Sequence, residues 1–210
     1  LAFGGDAGRC LAVDENGQLI DGDKLLAIFS KFMKVQGKLK SNTCVVTVMS
    51  NLGFFKFAEG EGINATTTAV GDRYVLERMQ QFDYNLGGEQ SGHIIFLDEA
   101  NTGDGELTGV KLLEVLKKTK KKASELASCM DSYPQVLVNV KITADKKGMW
   151  EKSEAVQNAI EMYKEKLGSD GRILVRESGT EPLVRVMLEG KRTGIITEYA
   201  NNIAKLIEEM

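Results

Sequence analysis

The sequence predicts an α/β protein in two parts: a mixed, mostly parallel α/β/α domain, then a smaller α+β domain with an antiparallel sheet and helices on one face. Up to about residue 128, short β-branched runs alternate with stretches that are apolar at helical spacing, which indicates a sheet covered by helices. Further along, the order becomes strand, helix, two strands and helix, which is typical of an antiparallel sheet. With 210 residues, 42% of them hydrophobic, the chain is long enough to bury substantial cores.

The first part begins with a predicted hairpin and helix. Asn16-Gly17 predicts a two-residue hairpin between strands at residues 10–13 and 18–20. Asp21 offers an N-cap to a helix whose apolar residues run from Leu25 to Met33. The next elements are a strand at 44–49, a helix at 52–61, a strand at 65–70, a helix at 74–81, a strand at 93–97 and a helix from 107 to about 127.

The second part contains a strand at 136–142, a helix at 153–167, two strands at 172–175 and 183–188, and a helix at 195–207. The domain boundary is therefore expected between residues 128 and 134. Because the chain starts at Leu1 with a strand-like segment and no initiator methionine, it is expected to be a piece of a longer protein. Domains are predicted at 1–21, as the remnant of a preceding α/β domain, 22–128 and 129–210.

Charge and cysteine content limit the function classes. The net charge of −3 and the isoelectric point near 5.4 give no basic footprint for nucleic acid. No apolar run reaches the roughly 18 residues that a membrane span needs. The 3 cysteines have neither an even count nor metal-like spacing, which favours reduced thiols in a cytoplasmic protein.

The loop between the last two predicted strands combines guanidinium groups, hydroxyls and glycine. Arg forks match phosphate oxygens, and a glycine lets the backbone approach an anion closely. An ordinary hairpin turn is the alternative, since serine, glycine, threonine and proline all favour turns. The predicted anion-binding residues are Arg176, Ser178, Gly179, Thr180 and Arg185.

A glycine-rich loop at residues 87–93 precedes the strand at 93–97. Glu89 and Ser91 suit recognition of vicinal sugar hydroxyls, because a carboxylate and a hydroxyl pair with donors and acceptors. His93 is the only histidine of the chain. A lone histidine is more often a packed or surface residue than a catalyst, but its glycine-rich surroundings favour a functional role.

Two further segments, residues 71–73 and residues 1–9, contain glycines and charged side chains in loops. Gly71 and Asp72 come just before a predicted helix, so Asp72 is either its cap or part of a binding loop. Arg73 opposes the helix dipole in the first turn, which a nearby anionic ligand would explain. The glycines of residues 1–9 resemble a dinucleotide loop only superficially, because residues 10–13 predict a strand where that loop requires a helix.

Several motifs in one order resemble the α-D-phosphohexomutase superfamily. They are residues 45–54, the stretch 70–74, Gly-Glu-Gln-Ser-Gly-His at 88–93, Thr-Gly-Asp-Gly at 102–105 and the loop 176–182. The resemblance covers essentially the whole chain and implies the end of domain two with all of domains three and four of a four-domain magnesium enzyme. Within the superfamily it is strongest to enzymes that interconvert the 6-phosphate and 1-phosphate of glucosamine through a phosphoserine and a bisphosphorylated intermediate.

The resemblance assigns roles to individual residues. Residues 22–128 become a sugar-binding domain, in which Glu89 and Ser91 contact sugar hydroxyls and His93 is a proton-transfer group near the reacting centre. Residues 71–73 form a second substrate-facing loop. Residues 129–210 become a phosphate-binding domain whose loop, with Arg176, Ser178, Gly179, Thr180 and Arg185, holds the phosphate that does not react.

Two departures from the superfamily pattern bear on activity. Its metal loop reads Asp-Gly-Asp-x-Asp-Arg, whereas this chain has Gly4 and Gly8 at two of the three aspartate positions and keeps only Asp6 and Arg9. Mg²⁺ prefers hard oxygen ligands, so weak or absent magnesium binding is expected, with Arg9 still available to phosphate. No segment resembles the phosphoserine loop, so the chain alone is expected to be inactive and to depend on missing N-terminal domains.

Two alternatives stay open at the level of sequence. One is a non-catalytic sugar-phosphate-binding or regulatory relative that lost its metal site. The other is a phosphomannomutase or phosphoglucomutase. The stretch 70–74 and Gln90 favour the glucosamine enzymes by resemblance alone.

Overall fold

A computed structural model describes residues 1–179 and 181–210. The chain forms two compact units, Leu1–Ser132 and Tyr133–Met210. Among the described residues, none of the helices combines the length and the hydropathy that a membrane crossing requires.

The first unit contains a small antiparallel sheet and a larger mixed sheet. The small sheet has the order β1-β2-β3, and the larger one has the order β5-β4-β6-β7, in which only β7 runs antiparallel to its neighbour. The elements are β1 Ala2–Phe3, β2 Cys10–Val13, β3 Leu19–Ile20, α1 Gly22–Val35, β4 Thr43–Thr47, α2 Leu52–Glu61, β5 Asn64–Thr68, α3 Asp72–Phe82, β6 Leu86–Gly88, β7 Ile94–Phe96, α4 Gly105–Thr119 and α5 Ala123–Ala127. The predicted mixed, mostly parallel sheet is confirmed.

Strand β6 corrects the prediction that residues 87–93 form one loop. Gly87 pairs with Val45 of β4 on one side and with Ile95 of β7 on the other. A Cβ at Gly87 would lie 2.7 Å from Met79 Sδ and 2.9 Å from the Val45 carbonyl oxygen. Helix α3 therefore packs directly against the backbone of β6. Because Gly87 and Gly88 have no side chains, the sequence of β6 shows no alternation of apolar and polar residues that would predict a strand.

The predicted N-terminal hairpin is longer than two residues. Strand β2 ends at Val13 and β3 begins at Leu19, and Asp14 N–H donates to the Gln18 carbonyl oxygen at 3.0 Å. The Asp14 carboxylate also accepts from the backbone N–H groups of Asn16 and Gln18, which stabilises the wider loop.

The predicted helix from 107 to about 127 is two helices. Lys120 adopts a left-handed backbone with φ of 56° and ends α4, because its N–H donates to the Leu116 carbonyl oxygen. A new N-terminus then begins at Ala123, where the Glu125 carboxylate accepts from Lys122 N–H at 2.8 Å.

The second unit contains a three-stranded antiparallel sheet, as predicted, and its strand order is β8-β10-β9. Its elements are β8 Gln135–Lys141, α6 Met149–Lys152, α7 Glu154–Leu167, β9 Gly171–Glu177, β10 Leu183–Gly190 and α8 Thr193–Glu208. Short α6 was not predicted. Alternate β10 residues, Val184, Val186 and Leu188, are fully buried in a core with α7 and α8. Each such side chain contributes about 1.5–3 kcal/mol of burial energy, so this core holds the strand pair that carries the loop after β9.

Candidate functional site

Residues 89–93 form a tight turn between β6 and β7. Glu89 N–H donates to the His93 carbonyl oxygen at 2.9 Å, and Gly92 N–H donates to the Glu89 carbonyl oxygen at 3.0 Å. Gly92 has a φ of 90°, and a Cβ there would collide with the Cys10 carbonyl oxygen. The turn therefore requires glycine for its backbone shape and for its contact with β2.

The neighbouring elements hold this turn from two sides. At the start of α1, Gly22 N–H donates to the Gln90 carbonyl oxygen at 2.9 Å, and Gln90 Nε2 donates to Asp21 Oδ2 at 3.4 Å. From β2, Cys10 N–H donates to the Gly92 carbonyl oxygen at 3.0 Å. A Cβ at Gly22 would overlap the Glu89 carbonyl oxygen. Backbone-to-backbone packing of this kind keeps the turn in a single conformation.

Glu89 and Ser91 differ in how strongly they are held. The half-buried Glu89 carboxylate accepts from Gly71 N–H at 3.1 Å, whereas Ser91 is exposed. Gly71 has a φ of 133°, a conformation that favours glycine, and it lies at the N-terminus of α3. The structure thus brings the predicted 71–73 segment next to the predicted sugar-binding turn.

The capping role considered for Asp72 is wrong. Gly71 occupies the N-cap of α3 without a side-chain hydrogen bond, and Asp72 is the first helical residue. Arg73 does not lack a partner in its first-turn position, since its Nε donates to Glu77 Oε1 at 2.7 Å, four residues along the same helix. This hydrogen bond and the Glu77 charge raise the pKa of Arg73.

His93 lies almost buried beside these residues, with its side chain 12% exposed. Its Nε2 accepts a hydrogen bond from Gly103 N–H at 3.2 Å. Asp72 Oδ2 lies 3.9 Å from the same nitrogen, beyond hydrogen-bond distance. The glycine-rich turn, the α3 N-terminus and the segment before α4 therefore meet around the imidazole.

The loop between β1 and β2 carries Asp6 and Arg9. Gly4 N–H donates to the Arg9 carbonyl oxygen at 3.1 Å, and Asp6 Oδ1 accepts from Gly8 N–H at 3.1 Å. Both Asp6 and Arg9 are exposed. Over the described residues, 1–179 and 181–210, no group of three or more histidine, cysteine, aspartate or glutamate side chains is arranged to hold a metal ion.

In the second unit, Arg176 of β9 and Arg185 of β10 are direct cross-strand partners. Arg176 Nη1 donates to the Glu177 carbonyl oxygen at 3.4 Å, and Arg185 Nη2 pairs with Glu181 Oε2 at 3.1 Å. The buried Nε atoms of both arginines have no hydrogen-bond partner in the part of the chain that the structure describes. Burial, and then the positive charge of Arg185, lower the pKa of Arg176.

The turn after β9 lies next to Arg176 and Arg185. Ser178 is buried; its N–H donates to the Leu183 carbonyl oxygen at 2.9 Å, and its Oγ accepts from Glu181 N–H at 3.3 Å. Gly179 is exposed, and a Cβ there would meet nothing within 4 Å, so its backbone is open to approach. Thr180 lies outside the described residues.

Three residues at these sites were not predicted. Thr143 and Lys147 line a cavity of about 240 Å³ together with Ser178 and Gly179. No motif marks them, because they come from the irregular segment after β8. Gly103 donates to His93, and the Thr-Gly-Asp-Gly motif at 102–105 marks it in the sequence without indicating a role for it.

Two family models match the chain in the order of its two units. The phosphoglucomutase/phosphomannomutase alpha/beta/alpha domain III matches residues 21–133, and the phosphoglucomutase/phosphomannomutase C-terminal domain matches residues 137–206. The chain belongs to the phosphoglucomutase/phosphomannomutase family. The predicted resemblance to phosphohexomutases is confirmed.

Among individual proteins, the chain is similar to enzymes named phosphoglucosamine mutase. It is 52% identical over 209 residues to that of Lacticaseibacillus casei (strain BL23) and 55% identical over 209 residues to that of Clostridium novyi (strain NT), covering 100% of this chain and 46% of each relative. A structure of Aspergillus fumigatus N-acetylphosphoglucosamine mutase has the same fold, with a TM-score of 0.83 at 21% identity over 99% of this chain and 47% of that one. The chain thus spans about half the length of the relatives it matches.

Proposed function

We propose that this chain is the sugar- and phosphate-binding half of a phosphohexomutase that interconverts glucosamine 6-phosphate and glucosamine 1-phosphate. Its reaction passes through a phosphoserine in domains outside this chain. The choice of glucosamine rests on the relatives named phosphoglucosamine mutase, which are 52–55% identical. The observation that carries the proposal is the cross-strand pair of Arg176 and Arg185, whose buried Nε atoms have no hydrogen-bond partner among the described residues.

Arg176 and Arg185 place two guanidinium charges side by side, and Glu181, 3.1 Å from Arg185, offsets only one of them, so a net positive charge is left for an anion. Arg176 and Arg185 therefore bind the phosphate that does not react, with help from the Ser178 hydroxyl, the open Gly179 backbone and Thr180. Fixing this phosphate orients the sugar, and the binding energy is then available to position the reacting oxygen at the other end of the substrate.

The first unit binds the sugar. The Glu89 carboxylate, already oriented by Gly71 N–H, accepts hydrogen bonds from sugar hydroxyls, and the exposed Ser91 hydroxyl adds a donor and an acceptor. His93 lies next to the reacting centre as its proton-transfer group. Asp72 and Arg73 complete the substrate-facing loop at the start of α3.

The loop at residues 4–9 has fewer carboxylate ligands for magnesium than the metal loop of the family has. Asp6 is its only carboxylate, and one of the oxygens is already bonded to Gly8 N–H. A hard dication with near-octahedral geometry needs more oxygen ligands than this loop supplies. We therefore propose weak or absent magnesium binding, with Arg9 as a phosphate contact. Lacking both metal and nucleophile, the chain alone does not turn over substrate.

The cellular setting follows from this function. The partners are a sugar phosphate and the N-terminal domains of the same protein, without nucleic acid or membrane. The acidic charge balance and the three thiols support a cytoplasmic location.

Calorimetric titration with glucosamine 6-phosphate tests the phosphate anchor. Arg176→Ala should weaken binding roughly tenfold to a hundredfold, since a hydrogen bond to a charged group contributes about 1.5–3 kcal/mol. Arg192→Ala removes the same charge from an exposed site at the other end of the β9–β10 pair and should leave the affinity unchanged. Equal losses in both variants, or in neither, would remove Arg176 from the site.

Gly4 and Gly8 favour a second candidate, a non-catalytic sugar-phosphate-binding relative. The full-length parent distinguishes the two. Turnover of glucosamine 6-phosphate well above background supports the mutase, whereas binding without turnover supports the relative. Parallel assays with glucose and mannose phosphates test the choice of sugar.

A further inference from the structure

The Thr-Gly-Asp-Gly motif at 102–105 connects β7 to α4 and bonds to both of them and to the loop between β1 and β2. Asp104 N–H donates to the Ile94 carbonyl oxygen at 3.3 Å, and Gly105 N–H donates to the Ala7 carbonyl oxygen at 2.7 Å. Asp104 Oδ1 caps α4 by accepting from Leu107 N–H at 2.8 Å. The two residues that follow Gly103 are thus held by backbone hydrogen bonds, and the N–H of Gly103 itself points at His93 Nε2.

Any side chain at Gly103 would require the His93 ring to move. A Cβ there would overlap the His93 imidazole, including Cδ2 at 2.5 Å. Gly103 is itself buried, so its N–H depends on the imidazole nitrogen as acceptor. Two separate features therefore fix the position of the His93 imidazole: the hydrogen bond from Gly103 N–H and the absence of a side chain at Gly103.

We propose that Gly103 is a positioning residue that holds neutral His93 as the Nδ1–H tautomer, so that His93 presents Nδ1–H as a hydrogen-bond donor to a sugar phosphate. Nε2 is occupied as an acceptor, and a neutral imidazole carries its single proton on the other nitrogen. Nδ1 has no partner among residues 1–179 and 181–210. The donor role rests on the proposed function, whereas the tautomer does not.

The opposite tautomer would place two donors face to face. Nε2–H would point at Gly103 N–H and leave that buried donor without an acceptor, which disfavours this form by roughly tenfold or more. In the Nδ1–H form, the ring has no accessible lone pair. The ring therefore meets the substrate through Nδ1–H, which donates to a sugar or phosphate oxygen, and any proton that His93 transfers in the proposed reaction leaves from Nδ1.

The single histidine makes the tautomer directly measurable. In ligand-free chain with ¹⁵N-labelled histidine, two-bond proton–nitrogen correlations above about pH 8, where imidazole is neutral, distinguish the protonated nitrogen. We expect Nδ1 to carry the proton in about nine-tenths of the molecules. An equal mixture, or an excess of Nε2–H, would overturn the proposal.

Variants then separate Gly103 from its surroundings. Gly103→Ala should displace the ring and raise the Nε2–H fraction several-fold. Gly60→Ala, at a helical glycine with nothing within 4 Å, should leave the tautomer unchanged. Asp72→Asn removes the carboxylate near Nε2 and should not lower the Nδ1–H fraction; a fall would assign the tautomer to Asp72 and overturn the role of Gly103. If Gly103→Ala does not fold, the measurements on the wild-type chain and on Asp72→Asn still test the proposed tautomer of His93.

Adding glucosamine 6-phosphate to the wild-type chain tests the donor role separately. A shift of the Nδ1 resonance at saturation supports it. Saturable binding without such a shift overturns the donor role while leaving the proposed sugar-phosphate function intact, and absence of binding overturns that function as well. The ligand-free tautomer is independent of both results.

Discussion

Gly4 and Gly8 flank Asp6 in the loop between β1 and β2. A Cβ at Gly4 would lie 3.0 Å from Asp6 Oδ1, and a Cβ at Gly8 would lie 3.6 and 3.7 Å from the two Asp6 oxygens. Carboxylates carried on these atoms would therefore converge with that of Asp6. We expect the double variant Gly4→Asp with Gly8→Asp to bind divalent cations, because three carboxylates would then share one small volume.

The gain in affinity can be sized from exposure and charge. Gly4 and Asp6 are exposed, so the dielectric constant of water applies. A dication and a carboxylate about 4 Å apart then attract each other by about 2 kcal/mol. Two added carboxylates contribute about 4 kcal/mol, which lowers the dissociation constant for Mg²⁺ roughly a thousandfold.

Titration calorimetry with Mg²⁺ at constant ionic strength measures this gain. The control is Gly5→Asp with Gly60→Asp, which adds the same two charges at glycines that have nothing within 4 Å. Long-range attraction acts in both proteins, whereas convergence on one ion occurs only in the first. Equal affinities in the two double variants would refute the claim that this loop retains the backbone geometry of a metal site.

Three further predictions concern thiols and stability. Burial raises the pKa of Cys44 to about 12 and that of Cys129 to about 11, so both thiols stay protonated at pH 8 and should react with a disulfide reagent far more slowly in the native chain than in denaturant; equal rates would contradict this. Glu189→Gln should lower the unfolding free energy of the second unit by about 1.5–3 kcal/mol in urea, because it removes the charge of a fully buried carboxylate that pairs with the partly exposed Arg172, and a loss below about 1 kcal/mol would argue against that pair. Asp104→Ala removes the α4 cap and should cost about 1 kcal/mol by the same assay, an expectation that an unchanged midpoint would exclude.

The alternation of strands and helices was predictable because the central elements carry strong local signals. Strand β4 is a fully buried β-branched run, and α1 has apolar residues at helical spacing after the Asp21 cap. Two wrong predictions, the loop at 87–93 and the single helix from 107 to about 127, have local causes as well. Gly87 and Gly88 carry no side-chain pattern, so β6 forms only through pairing with β4 and β7. At Lys120, a lysine in the left-handed conformation ends α4 without the glycine that usually marks a helix end.

The residues of the candidate site were more predictable than their contacts. Glu89 and His93 are predicted as functional residues from their residue types and the glycine-rich segment that contains them. The contact between Gly103 and the imidazole joins residues on either side of β7. It depends on the segment after β7 folding back, so that Asp104 N–H reaches the Ile94 carbonyl oxygen. The same limit applies to Arg73: its first-turn position predicts a nearby anionic ligand, whereas the structure pairs its Nε with Glu77 at 2.7 Å.

Strand register also decides which arginine can bind an anion. Arg172 and Arg176 are four residues apart on β9, so they lie on the same face of the sheet. The register places Glu189 opposite Arg172 and Arg185 opposite Arg176. The first arginine is neutralised by a fully buried carboxylate at 2.8 Å, while the second faces a like charge and keeps an unpartnered Nε among the described residues. A shift of the β9–β10 pairing by four residues would bring Glu189 opposite Arg176, so the phosphate binding that we propose for this sheet depends on the strand pairing rather than on its arginine content.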